Sequence, residues 1–385
     1  MLFNSKQKRK KRSLILLGLI VVLIIAILAV LYLRNIEKPC DALLEVHSSN
    51  NYSVQVNGDY YYLNDNKVCK ASDSESKDTV IYECTGLLIQ LFADGDDIYA
   101  YSSNGTLACI NTTAASHKTF DVCKNAGSFV VADNYIIMCL YDNEQRPIVY
   151  DKYTCQPASM NFDDKISFDE NNSISYSVKE FADSKQILLY GIRYYQLLLY
   201  DKCGNVVYNS SEALPTYDPL VITDTAIMYV ATYNREYQLK SKDRDTGEVT
   251  NSALISNEYA MYSYSVCSDN SIMLMGQKTI HNSTDLNELI KHESDCLFKY
   301  DTKTLEKTFE HKTRKYERII YADSEKAITY YDGEYLTYSL EDWKVIDNQD
   351  ADEIKDGGSY FFEACGEYLF VFDDKTDKLI NKLKG

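Results

Sequence analysis

Two hydrophobic patterns divide the chain. Leu14 to Leu33 is an unbroken run of twenty residues without a charge, whereas from Ala42 onward apolar and polar residues alternate in short stretches broken by Gly, Asn and Asp. A helix rising 1.5 Å per residue over such a run spans about 30 Å, the thickness of a bilayer's hydrocarbon core. The first pattern therefore predicts one transmembrane helix. The period of two in the second predicts strands with opposite faces in different surroundings.

The alternating part repeats a sketch of strand, tight turn, Tyr-rich strand, second turn and strand. Its clearest copy runs from Leu88 to Tyr101 through Gly95-Asp96, then Ser103-Asn104-Gly105, then Thr106 to Ile110. Asn-Gly between alternating runs is a hairpin signal, because both residues tolerate φ > 0. Further copies centre on Asn57-Gly58, Asp332-Gly333 and Cys365-Gly366. The last strand residue before each third turn falls at Lys70, Ile110, Tyr150, Tyr200, Lys242, Tyr300, Tyr338 and Phe372. The mean spacing is about 43 residues, the length of one four-stranded propeller blade. An all-β propeller of about eight blades, with seven as the alternative, is predicted for residues 42–385. The last unit offers only three strands, Ser359–Ala364, Tyr368–Asp373 and Lys378–Lys384. Ala42 to His47 is strand-like and is expected to supply the missing outermost one, which would remove an open edge.

The copies resemble the blades of PQQ-like β-propellers and of bacterial cell-surface propellers of unknown function. Gly95-Asp96-Asp97-Ile98-Tyr99-Ala100-Tyr101 with Leu107-Ala108-Cys109-Ile110-Asn111 is similar to the G-D-x-I-Y-Y and L-Y-x-I-D runs of the latter. Asp243-Arg244-Asp245-Thr246-Gly247 resembles the D-x-x-T-G turn of the former. The resemblance implies a fold, from about residue 42 to 384, and a fold does not imply a function. Sialidase-type boxes and WD40 signatures are missing, and the single Trp343 could not supply tryptophan-rich blade docking. No G-x-S-x-G, H-E-x-x-H, C-x-x-C or G-x-x-x-x-G-K-[ST] is present.

Charge adds a topology. Lys6, Lys8, Arg9, Lys10, Lys11 and Arg12 precede the apolar run and hold the tail, residues 1–13, on the cytoplasmic side. A cleaved signal peptide is the competing reading, but the run is long and ends Ala29-Val30-Leu31-Tyr32-Leu33-Arg34, without an A-x-A-like site. Residues 14–33 are thus expected to stay as a signal anchor, 34–41 to form a short linker, and 42–385 to lie outside the cell. The seven cations up to Arg34 leave 33 Lys+Arg against 57 Asp+Glu in the remainder, a net charge of −24. So acidic a domain disfavours nucleic acid and anionic lipid as partners.

Candidate chemistry is sparse. All eleven cysteines lie from Cys40 onward, on the side where disulfides can form. Cys69 with Cys84, and Cys109 with Cys123, are each symmetric about a turn and would lie opposite one another in a hairpin, as possible disulfides. The plainer reading is a set of small buried thiols. His281 and His292 flank a short helical pattern, Asp285 to Lys291, and would need Glu293 or Asp295 to complete a metal site; exposed loop histidines are the simpler expectation. Asp243, Asp245 and Glu248 begin an incomplete calcium-loop pattern, against which stands a solvated acidic turn. The 34 tyrosines fit half-buried pleated surfaces, although some at a propeller mouth would suit glycan or peptide. No catalytic, cofactor or metal residues are assigned. The sequence leads to a membrane-anchored binding or scaffold module with a protein or envelope-polymer partner, or alternatively an envelope enzyme or accessory subunit with its site at the propeller mouth.

Overall fold

A computed structural model describes residues 43–47, 52–72, 78–131, 134–140, 148–158, 176–181, 186–191, 198–200, 206–209, 221–223, 225–233, 236–267, 269–278 and 294–384. All lie in the unit Asp41–Gly385. The anchor at 14–33, the linker 34–41 and the helical pattern 285–291 lie outside the described residues. Among the described residues no helix is long and apolar enough to cross a membrane.

Among the described residues thirty-one strands form eight sheets, and the sheets are the blades of a β-propeller. In chain order they are blade 1 (residues 53–83), blade 2 (88–121), blade 3 (126–151), blade 4 (176–209), blade 5 (221–256), blade 6 (259–312), blade 7 (318–350) and blade 8 (359–384). Blades 1, 2, 4, 5, 6 and 7 are four-stranded antiparallel meanders, and blade 3 has three strands among the described residues. The last strand of a meander, such as Ser116–Asp121 or Val345–Asp350, is exposed along nearly all its length. The first strands of blades 1 and 7 are largely buried, and the first strands of blades 1 to 4, of 7 and 8, and of 8 and 1 pack on one another in succession. First strands therefore line the axis, and last strands form the rim.

The turns follow from local chemistry. Asn57-Gly58 and Asp332-Gly333 both take positive φ at their two central residues, 53° and 83° in the first and 51° and 85° in the second. This is the paired left-handed turn whose twist matches that of the strands it joins. A second device recurs at Asp151, Asp243, Asp301 and Asp373. In each, one carboxylate oxygen accepts from the amides two and three residues on and from the hydroxyl of Thr154, Thr246, Thr304 or Thr376. The following residue, Cys155, Gly247, Leu305 or Asp377, has positive φ and closes the turn by donating its amide to the aspartate carbonyl.

The apolar core lies in the seams between blades. Tyr61, Leu63 and Val68 of blade 1 pack on Leu91, Ile98 and Ala108 of blade 2. Because side chains alternate along a strand, Tyr60 and Tyr62 turn the other way, to blade 8. There their rings meet Tyr368 at 5.0 Å and Phe370 at 5.2 Å, while Tyr52 meets Phe361 at 4.9 Å. Gly366 permits the closest approach, since a Cβ there would stand 2.3 Å from Tyr60 Cε1. The first and last blades thus close the ring through aromatic side chains.

Blade 8 corrects one expectation. Leu43–His47 does pair with the last unit, in parallel register from Leu43 opposite Ser359 to His47 opposite Glu363. Its partner, Ser359–Cys365, packs on the first strands of blades 1 and 7 and is itself the axial strand. The N-terminal strand is therefore innermost, on the channel side, and not outermost. The reason lies in the connection: five residues, 48–52, join it to blade 1, whose first strand starts at the axis. Five residues reach at most about 18 Å.

Candidate functional site at the channel seam of blades 6 to 8

Charged groups converge beside the N-terminal strand. The first strand of blade 6, Tyr259–Val266, carries a bulge at Tyr262, where the register with the second strand slips between Met261 and Ser263. A bulge re-aims the extra side chain. Tyr262 consequently turns into the seam, its hydroxyl 2.8 Å from Asp295 Oδ2 and 2.7 Å from the Ile319 carbonyl. The first strands of blades 2, 3 and 7 slip at the matching place, at Ile89, Gly127 and Ile320.

Asp295 opens the third strand of blade 6 and is 1% exposed. Its carboxylate accepts from Arg318 Nη1 at 3.1 and 3.3 Å and from the Ile319 amide at 2.8 Å. Burial pushes the Asp295 carboxyl above the ordinary range, while the guanidinium, the amide and the tyrosine hydroxyl pull against it. The Tyr262 hydroxyl is held well above its usual range, first by burial and then by the Asp295 charge. Arg318 lies over the Tyr262 ring, its guanidinium carbon 4.0 Å from the centroid, and its Nη2 donates to the Leu44 carbonyl of the N-terminal strand at 3.3 Å. One arginine thereby links blades 6 and 7 and the channel strand.

Two more buried carboxylates complete the inventory. Glu317 accepts from Thr329 Oγ1 at 2.7 Å and the Tyr338 hydroxyl at 2.8 Å on one oxygen, and from Arg314 N and Nε, both at 3.1 Å, on the other. Glu363 accepts from Ser53 N at 2.7 Å, Ser53 Oγ at 2.6 Å and Tyr52 N at 3.1 Å. These three are the buried carboxylates among the described residues, and each is saturated by donors of the ring itself. Gln90 does the same work without charge, exchanging two hydrogen bonds of 3.2 Å with the backbone of Phe129 across blades 2 and 3.

Outside the channel, Trp343 stacks with His311 of blade 6 at 3.8 Å and with Tyr338 at 4.8 Å. Burial lowers the His311 imidazole below its ordinary value. Arg314 continues the stack over Tyr331 at 4.0 Å.

The residues singled out from sequence distribute differently. The register sets Val80, not Cys84, opposite Cys69, and Lys118, not Cys123, opposite Cys109. Cys84 and Cys123 lie past the ends of Thr79–Glu83 and Ser116–Asp121, so the hairpin geometry invoked for these pairs is absent, and all four stand as thiols. The loops are shorter than symmetry between the cysteines requires. His281, His292 and Glu293 lie outside the described residues, and Asp295 is committed to Arg318. One Asp243 oxygen accepts three turn bonds, which hold its carboxyl below the ordinary value. No cluster of metal-ligating side chains occurs among the described residues. Sequence reading names Asp295 only as a possible metal ligand beside His281 and His292 and passes over Glu317, Arg318 and Glu363, although a charge inside an apolar strand, as in Tyr360-Phe361-Phe362-Glu363-Ala364 or Arg318-Ile319-Ile320, is a legible signal.

No family model matches the chain, and no curated protein matches it in sequence. Solved structures match it in fold. BamB from Moraxella catarrhalis is 12% identical, with 91% of this chain and 98% of that one covered and a TM-score of 0.53. A computationally designed protein, Ika8, is 8% identical over 90% of this chain and 100% of its own, at 0.55. The dihydro-heme d1 dehydrogenase NirN is 12% identical over 90% of this chain and 76% of its own, at 0.50. At such identities the likeness is one of fold.

Proposed function

We propose that the chain is a non-catalytic binding or scaffold module, held at the outer face of the cell membrane by residues 14–33 and engaging a protein or envelope polymer through its propeller. The observation that carries this reading is the saturation of Asp295, Glu317 and Glu363. A general acid or base needs a carboxylate within hydrogen-bond reach of a substrate proton. Here Asp295 and Glu363 are spent on bonds between blades and Glu317 on bonds within blade 7 and its entry, and the channel edge of blade 8 is occupied by the chain's own strand. Both features favour a stable ring that presents surfaces. The apolar run and its basic flank support the location, and the −24 charge beyond Arg34 supports a partner other than nucleic acid.

Two experiments test it. Crosslinking on intact cells followed by capture of the chain should recover a defined partner in constant ratio; recovery of none, with turnover of a substrate by the isolated domain, would sink the reading. Limited proteolysis between Arg34 and Asp41 should release a folded domain from membranes. Release without proteolysis, by salt alone, would remove the anchor.

A further inference from the structure

The N-terminal strand is held differently from the rest of the ring. Among the described residues every other strand pair is antiparallel, and this pair is parallel, slightly weaker per residue. It is five residues long. Leu44 is buried at 4% exposure, and Arg318 grips the same residue by its carbonyl, a group every residue possesses. Main-chain pairing, the buried Leu44 side chain and the Leu44 carbonyl contact are thus described parts of the hold.

The connection is equally informative. His47 pairs with Glu363 in the backbone, and Ser53 is bonded to the carboxylate of the same Glu363. Both ends of the segment 48–52 therefore start from one residue, and blade 1 is fixed independently of the strand before it. Withdrawing Leu43–His47 leaves Ser53, Tyr52 and the aromatic closure in place.

We propose that the channel-side edge of Ser359–Cys365 is a strand-acceptor site, filled in cis by Leu43–His47 and open in trans to an extended segment of a partner protein that carries an aliphatic residue at the position of Leu44. This deepens the binding-module reading and rests on it. Strand addition of this kind takes affinity from main-chain hydrogen bonds and selectivity from side-chain pockets. The Leu44 pocket supplies the selectivity, and Arg318, braced by Asp295 and Tyr262, supplies a fixed donor for the entering carbonyl. A second copy of this chain is not the occupant: its own strand is tied to its own blade 1 by five residues, at most about 18 Å, too short to reach into another ring's channel.

The test uses the full chain with Leu44→Asp, which places a charge in the buried pocket and evicts the strand, and in parallel with Glu45→Pro, which interrupts the pairing. The probe is a fluorescein-labelled synthetic peptide of residues 42–48. Saturable binding to either folded variant is expected, weaker by about tenfold or more for wild type and for the same peptide carrying Leu44→Asp, as loss of one buried aliphatic side chain requires. Folding is checked by circular dichroism and Trp343 emission. Two folded variants that take up no peptide, or equal binding by wild type or by the altered peptide, would overturn the acceptor site. Partner capture on cells, run alongside, reports on the binding-module reading separately, because a partner held at the rim would still be recovered from both variants.

Discussion

Glu363 and Ser53 stand 310 residues apart in sequence and share a hydrogen bond of 2.6 Å inside the protein. The carboxylate of the last blade also receives the Ser53 and Tyr52 amides, so a single side chain satisfies three donors at the start of blade 1. Glu363→Ala leaves those donors buried without an acceptor and is expected to cost about 2–3 kcal/mol. Glu363→Gln keeps one carbonyl oxygen and should cost less. Urea unfolding of the two variants checks this; equal midpoints for Ala and wild type would show that the closure does not depend on the contact.

Arg318 and Asp295 form the corresponding bond between blades 6 and 7. Arg318→Met strands a buried carboxylate, which typically costs about 3–5 kcal/mol, whereas replacing both partners by neutral residues is often nearly neutral. The double variant Asp295→Asn, Arg318→Met should therefore be more stable than Arg318→Met alone. Additive losses in a thermal double-mutant cycle would contradict the pairing.

His311 provides a pH readout. Its folded-state value is lowered by burial, so the unfolded chain binds the proton more readily and stability rises with pH in this window. The contribution of neutral His311 is complete above about pH 6.5, the ordinary histidine value, and is lost as pH falls through the lower folded value. Trp343, the one tryptophan, reports the stack directly. Its emission should titrate below pH 6.5 in wild type and not in His311→Gln; a midpoint above 6.5 would refute the assigned environment.

The cysteines should behave as buried thiols. Burial pushes Cys155 and Cys267 up to about 11 and Cys296 and Cys365 up to about 12. At pH 8 these four should resist alkylation in the native protein and react on denaturation, with Cys69 and Cys109 peptides recovered as free thiols without reduction. Disulfide-linked Cys69–Cys84 or Cys109–Cys123 peptides would overturn the observed register.

What could be read from the sequence is what two or four neighbouring residues decide. Asn57-Gly58 and Asp332-Gly333 specify their turns by tolerating φ > 0, and repeated turns at blade spacing specify a ring. The Asp-x-x-Thr turn was visible once, at Asp243, and the same bonds at Asp151, Asp301 and Asp373 carry the pattern without its glycine. The channel strand was misplaced because a parallel main-chain pairing leaves no side-chain signature, and nothing in Leu43-Leu44-Glu45-Val46-His47 separates an axial edge from a rim. The seam pairing escaped for a related reason. Asp295 and Arg318 meet only across a seam, and seam partners are set by how blades pack, whereas local pattern reports only on each strand's own faces.

The direction of the N-terminal strand has a mechanical consequence. Tension applied at Leu43 along the strand axis would load the hydrogen bonds to Ser359–Cys365 side by side rather than peel them one at a time. The same pull draws on the Leu44 carbonyl held by Arg318, and through that guanidinium on Asp295. Such an arrangement yields abruptly, at a threshold of force, and converts a tug on the chain's leading end into an all-or-none event at the centre of the ring.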